Sequence, residues 1–220
     1  MHITNEEYQK NIIKLIESIN LCEQQSLEIT KKLLTKNMYL DDIAFIGLLD
    51  RSINLARGFI SMVENRNLTC CGAILRLIID NCLRAYAICI AKDRENLIKA
   101  VIQGEKLCKF KDVDGKEMTD TYLHKQLAKF DQSISKVYKE TSGFIHFSNK
   151  AVFQSIYSCK DDGHLEFQVG RILPEKFNDN IIECTVAYEH YYKIFLSIMS
   201  DIADSKRQFD NTNINETQIQ

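Results

Sequence analysis

Three charged residues, Arg76, Asp80 and Arg84, follow one another at intervals of four within the most apolar segment of the chain. Residues four apart lie on the same face of an α-helix, so these side chains form one charged stripe. The stripe could be a solvated strip of two ion pairs, each stabilising the helix by about 0.3–0.5 kcal/mol. Alternatively, Asp80 could hold a guanidinium that is aimed at an anion such as a phosphate. In that interpretation Arg76 and Asp80 are catalytic candidates and Arg84 binds phosphate.

A second candidate for chemistry is the segment 138–150, in which His146 follows the predicted end of a helix. An imidazole titrates near neutral pH and can act as a general acid or base. Ser142 and Ser148 lie on either side of His146 and are candidate phosphate-binding residues. The alternative interpretation is a loop histidine whose ring nitrogens satisfy backbone groups. No Ser or Cys is paired with a histidine in a recognisable catalytic motif, which disfavours a nucleophilic hydrolase.

Eight cysteines raise the question of a metal site or of disulfides. They are scattered through apolar runs without a Cys-x-x-Cys pair, so we expect them to pack in the core and to bind no metal. The first residues lack the apolar core of a signal peptide, which predicts a cytoplasmic protein with reduced thiols. No Gly-rich loop follows a strand, so a nucleotide-binding α/β fold is excluded and no cofactor is expected.

The charge balance limits the classes of partner. With 28 basic and 30 acidic residues the chain has no basic excess, so any contact with nucleic acid should be small. The apolar stretch 70–91 is long enough to cross a bilayer. Each of its three charges would cost about 2.5–3.5 kcal/mol near the membrane centre. Together they outweigh the favourable insertion free energy of the apolar side chains. We therefore expect a buried helix and no membrane association.

The spacing of apolar residues predicts long helices. A single proline and eight glycines leave few breaks, and helical periodicity covers about residues 6–36, 42–64, 69–91, 94–108, 119–143 and 175–206. In the fifth of these, apolar residues including Leu127 and Phe130 step by three and four, and Gly143 is expected to end the helix in a left-handed conformation. Alternating residues on either side of Asp162-Gly163 predict a β-hairpin.

The sequence therefore predicts an all-α fold, a bundle of about five to six long helices with one small β-hairpin near residues 151–170. Residues 1–206 would form a single helical domain with the hairpin as an appendage. The polar residues 207–220 are expected to form a disordered tail.

The two candidate motifs together resemble a known family. A long helix with Arg76-x-x-x-Asp80, followed by a helix that ends in Ser142-x-x-x-His146, is similar to uncharacterised bacterial helical proteins akin to the HEPN superfamily. The resemblance covers about residues 42–200. It implies a helical bundle, a homodimer and, in ribonuclease members, metal-independent attack of an RNA 2′-hydroxyl on its own phosphate. His146 matches the family histidine, whereas residues 139–141 are Lys-Glu-Thr and lack the family's arginine.

This resemblance leads to three functional hypotheses. The favoured one is a HEPN-like binding or assembly module of a bacterial defence or toxin–antitoxin type system, without catalysis and with a protein partner, RNA or nucleotide as candidate ligands. The first alternative is a metal-independent ribonuclease that uses His146 with Arg76 or Arg84. The second is a structural or small-molecule-binding helical protein unrelated to HEPN.

Overall fold

Helices account for most of the chain, as the apolar periodicity predicts. The computed structural model describes residues 4–146, 148, 152, 155–159, 163–167, 169, 170 and 172–217, and 76% of these described residues are helical. The predicted all-α bundle with a small hairpin is confirmed. The seven α-helices of the described residues are α1 (Asn5–Leu33), α2 (Leu40–Glu64), α3 (Leu68–Ile90), α4 (Arg94–Ile102), α5 (Asp120–Leu127), α6 (Ser133–Ile145) and α7 (Asn178–Thr217). Short 3-10 turns occupy Leu107–Lys109 and Glu175–Phe177.

Polar side chains fix where several helices begin. Thr4 and Glu7 form a reciprocal capping box at the start of α1, in which the Glu7 N–H donates to Thr4 Oγ1 and the Thr4 N–H donates to the Glu7 carboxylate. The side chains of Asn67, Asp93 and Thr119 accept backbone N–H groups at the starts of α3, α4 and α5. In each case the residue just before the helix binds a backbone N–H group that has no partner within the helix.

Four long helices form the core. α1 and α7 run parallel, because Ser26 lies beside Tyr192 and Lys32 beside Asp204 further along both helices. α2 runs in the opposite direction, and the rings of Phe59 and Tyr188 stack with centroids 4.0 Å apart. α3 packs against α2 and α7, and α6 covers α3. Burial of apolar side chains between these helices is the main stabilising contribution, and the largest fully buried ones include Tyr188, Tyr191, Tyr192, Phe45, Phe59 and Phe195.

The predicted fifth helix is interrupted in the structure. α5 ends at Leu127 and α6 begins at Ser133, so Phe130 lies in the break and is 80% exposed instead of packing in an apolar seam. Asp131 stabilises the break, because its carboxylate accepts both the backbone N–H and the hydroxyl of Ser133. Gly143 is also placed differently from the prediction. It lies within α6, which continues to Ile145, and it has no positive φ.

The hairpin lies where the sequence predicts it. β1 (Ile156–Cys159) pairs antiparallel with β2 (Leu165–Phe167), and Gly163 takes a left-handed conformation with φ of 81° in the connection. Residues 151, 153, 154, 160–162 and 168, which belong to the predicted hairpin, lie outside the described residues.

α7 extends further than expected, to Thr217, so part of the tail expected to be disordered is helical. Contacts of Phe209 and Asp210 stabilise the first turn of this extension. Asp210 accepts hydrogen bonds from Tyr39 and Thr35, and the ring of Phe209 meets that of Tyr39 edge-on. These contacts hold this part of α7 against the start of α2. The assignment of residues 1–206 to one domain stays a prediction.

One glycine sets how closely α6 approaches α3. A Cβ atom added at Gly72 would lie 2.4 Å from the ring of Phe144, a distance that van der Waals repulsion excludes. Further along, Arg76 lies over the ring of Tyr138. α6 therefore runs antiparallel to α3, with its last turn beside the first turns of α3.

We expect Gly72→Ala to lower the free energy of unfolding by about 1–3 kcal/mol, because the added methyl group overpacks the contact with Phe144. Gly47→Ala is the matched control, since it is also helical and a Cβ there meets nothing within 4 Å. That control should stabilise the protein by about 0.5–1 kcal/mol through helix propensity. Urea unfolding followed by circular dichroism measures both changes. Equal stabilisation by the two variants would show that Phe144 does not pack against Gly72.

Candidate functional site

The charged stripe lies where α3 meets three other helices. Asp80 is its central residue, and its carboxylate accepts Arg84 from the next turn of α3 at 2.8 Å. The other carboxylate oxygen lies 3.5 Å from the guanidinium of Arg51 on α2. Arg51 also donates to the side chain of Asn81, whose amide donates to the Leu48 carbonyl. The stripe therefore continues across the α2–α3 interface.

Arg84 joins α3 to α5. Its guanidinium lies 2.8 Å from Asp120 as well as 2.8 Å from Asp80, so it bridges two carboxylates. Burial alone would lower the pKa of Arg84, but the two carboxylates outweigh burial and raise the pKa above its usual value. The residue predicted to bind phosphate is thus neutralised by two acidic side chains of its own chain.

Arg76, by contrast, packs on an aromatic ring. Its guanidinium carbon lies 3.6 Å from the centroid of Tyr138 on α6, a cation–π contact. His124 of α5 stacks with the same Tyr138 ring at a centroid distance of 4.9 Å. Burial, followed by the charges of Lys125 and Arg76, lowers the pKa of His124, which favours the neutral imidazole at pH 7. Arg51, Asp120, His124 and Tyr138 are thus neighbours of the stripe that the sequence did not single out.

His146 lies at the end of α6, exposed to solvent. It follows Tyr138 by eight residues, a separation of about 12 Å along a helix axis. Because α6 is antiparallel to α3, this displacement is directed away from Arg84 and towards the start of α3. The structure thus brings Asp80 and Arg84 together and places Arg76 one turn away, whereas His146 lies beyond Arg76. The catalytic assignment of His146, Arg76 and Asp80 stays a prediction.

The two candidate serines donate their hydroxyls to helix carbonyls. Ser142 Oγ donates to the Tyr138 carbonyl at 2.9 Å, and Ser148 Oγ donates to the Gly143 carbonyl at 2.7 Å. Both hydroxyls therefore bind backbone carbonyls in the last turns of α6. Carbonyls near a helix end often lack an intrahelical partner, and serine hydroxyls commonly bind carbonyls of the preceding turn. Their assignment as phosphate-binding residues stays a prediction.

A large groove lies on another side of the bundle. Its volume is about 1090 Å³, and it follows α7 from His190 to Phe209. Ile194, Ile198 and Ile202 of α7 line it at intervals of one turn. The start of α2, the end of α3 and the segment 127–134 form its remaining sides. We call this feature the α7 groove.

A buried ion pair and a histidine–carboxylate hydrogen bond stabilise the sides of the α7 groove. The ammonium group of Lys206 lies 2.6 Å from Asp42, and both side chains are almost fully buried. Near the other end, His190 Nε2 lies 3.0 Å from the carboxylate of Asp131. Burial opposes ionisation of Asp131, but its hydrogen bonds with His190 and Ser133 outweigh burial and lower its pKa below the usual value. Asp131 is therefore a carboxylate at neutral pH.

A metal site and a membrane-spanning helix are both absent from the described part of the chain. No group of three or more His, Cys, Asp or Glu side chains there is arranged to hold a metal ion. The eight cysteines are free thiols. Among the helices for which coordinates are described, none contains a span apolar and long enough for a bilayer.

We expect Asp80→Asn to lower the free energy of unfolding by about 1–3 kcal/mol, since it leaves two half-buried guanidinium groups with one remaining carboxylate. Glu95→Gln is the matched control, because it removes an exposed i,i+4 ion pair with Lys99. That control should cost about 0.3–0.5 kcal/mol. Thermal unfolding of both variants measures the difference. An Asp80→Asn variant no less stable than Glu95→Gln would instead support the solvated-strip interpretation.

The chain matches no protein-family model, and it has no significant match among curated proteins or solved structures.

Proposed function

We propose that the chain is a HEPN-like helical module that binds a partner through the α7 groove and does not catalyse a reaction. The observation that carries this proposal is the groove itself, with its volume of about 1090 Å³ and its row of isoleucines. Leaving apolar surface exposed to water costs about 25 cal/mol per Å². Monomeric proteins rarely expose large contiguous apolar surfaces, and those that they do expose are often binding sites.

The edges of the α7 groove support the same proposal. Phe130 is 80% exposed and Phe209 is 56% exposed, and both line the groove. Aromatic side chains are enriched at protein interfaces because each buries a large area at a low cost in conformational entropy. Phe130 lies in the break between α5 and α6 that Asp131 stabilises. Its exposure is therefore built into the local structure.

The pairing of the charged stripe favours binding over catalysis. A phosphate clamp needs donors that are free to contact the ligand, whereas Arg84 already bridges Asp80 and Asp120. General acid–base catalysis also needs the acid or base within hydrogen-bonding reach of the reacting group. His146 lies beyond Arg76 in the direction away from Arg84, which does not favour a joint site within one chain.

The biological system that we propose rests on the resemblance to HEPN proteins. The HEPN-like motifs motivate the proposal of a bacterial defence or toxin–antitoxin type system and of a homodimer. Exposed apolar side chains on α1, among them Ile13 and Leu21, provide surface away from the α7 groove that a second copy could cover.

We expect Ile198→Gln to weaken binding of the neutral apolar dye Nile red at least fivefold, because the amide places polar atoms on the apolar surface of the α7 groove. Leu21→Gln is the matched control. It makes the same change on α1, where the side chain is 57% exposed and does not line the groove. Dye fluorescence titrated against protein measures both affinities, and circular dichroism verifies that each variant is folded.

Equal dye binding by the two folded variants would remove the α7 groove from the proposal.

A ribonuclease assay in the presence of EDTA tests the absence of catalysis. If the wild type cleaves RNA and His146→Ala does not, the ribonuclease alternative replaces the proposed function.

A further inference from the structure

The α7 groove is long enough to hold an extended ligand. His190 and Phe209 line its two ends, and they are nineteen residues apart on one helix. At about 1.5 Å per residue the groove follows α7 for about 28 Å. Pockets for small molecules usually have volumes of about 300–1000 Å³. The groove exceeds that range and is elongated, so a helix fits its shape better than a compact ligand.

The apolar surface repeats at the spacing of a helix. Ile194, Ile198 and Ile202 follow one another at intervals of four on α7 and are partly exposed. Such a row forms a ridge, which can pack between rows of apolar side chains on a second helix. Phe130 also lines the groove, so a docked helix could contact its ring as well as the isoleucine row.

The polar residues of the α7 groove give it an excess of negative charge. Asp41, Asp42, Asp131 and Asp201 face two permanent cations, Arg94 and Lys206, together with His190. The excess is two negative charges when His190 is neutral and one when it is protonated. An occupant with positive charge is therefore favoured over one with negative charge.

Asp201 carries an unbalanced negative charge whether His190 is neutral or protonated. Arg94 pairs with Asp41 at 3.1 Å and donates its other N–H groups to the carbonyls of Ile88 and Cys89, so it is committed to the end of α3. Asp201 is exposed and has no ion pair with any residue that the structure describes. Burial raises the pKa of the Cys89 thiol, Arg94 opposes the rise, and Asp41 and Asp201 add to it. Both carboxylates therefore lie near the same partly buried thiol.

We propose that the α7 groove receives a basic amphipathic helix of a partner protein. The helix is about 19 residues long, its apolar face covers the isoleucine row, and a Lys or Arg lies opposite Asp201. This inference rests on the proposed binding function and specifies the chemistry of the partner. Helix-in-groove recognition combines burial of apolar anchors, which provides affinity, with charge pairs at the edge, which select the partner.

The test uses two labelled peptides of about 19 residues, one with a leucine face and lysines elsewhere and the other with glutamates in place of the lysines. Fluorescence anisotropy with the full chain should give saturable one-to-one binding of the lysine peptide and at least tenfold weaker binding of the glutamate peptide. Nile red should be displaced by the lysine peptide. Asp201→Asn should weaken that peptide about threefold, the effect of one partly exposed ion pair. Asp204→Asn, on the same helix but outside the groove, should leave the affinity unchanged.

Equal affinities of the two peptides, or equal losses in the two Asp variants, would overturn the inference. If neither peptide binds while Ile198→Gln still weakens dye binding at least fivefold, the inference fails and the proposed function stands. If neither peptide nor dye binds, both fail. Light scattering that shows a wild-type dimer and an Ile198→Gln monomer would assign the groove to a second copy and would also overturn the inference.

Discussion

Lys206 of α7 and Asp42 form a buried ion pair that joins the end of α1 and the start of α2 to α7. The Lys206 ammonium group donates to Asp42 and to the carbonyl of Leu33, each at 2.6 Å. Asp42 also accepts the N–H of Tyr39, so the same carboxylate caps the start of α2. Leu33 is the last residue of α1, whose final carbonyls lack intrahelical partners. One lysine of α7 therefore satisfies the end of α1 and the start of α2 together.

The energetics of this pair constrain the surrounding structure. A charge taken out of water is tolerated only when it is paired and hydrogen-bonded, and removing one member of a buried pair costs about 3–5 kcal/mol. The end of α1 and the start of α2 must therefore remain beside residue 206 of α7. This arrangement leaves the adjacent face of α7, with Ile198 and Ile202, beside the start of α2. At the other end of the α7 groove, the Asp131–His190 contact holds the α5–α6 break in place. The apolar surface between these two anchors is open because the polar contacts fix its sides.

Local rules predicted much of the fold, and long-range contacts account for the rest. The long helices and the hairpin depend on apolar spacing within one segment, which the sequence displays directly. The Asp80–Arg84 pair is likewise local, because residues four apart on a helix are neighbours. Asp42 and Lys206 are separated by 164 positions, and no spacing rule relates them. The break between α5 and α6 escaped prediction because Phe130 continues the apolar period while Asp131 ends it by capping Ser133.

Methyl NMR of the isoleucines during titration with the lysine peptide reports whether the α7 groove is the binding surface. We expect the signals of Ile194, Ile198 and Ile202 to shift in a saturable manner, whereas that of Ile13, which is exposed on α1, should not. Shifts confined to isoleucines outside the groove, with Ile194, Ile198 and Ile202 unchanged at saturation, would show that the peptide binds elsewhere.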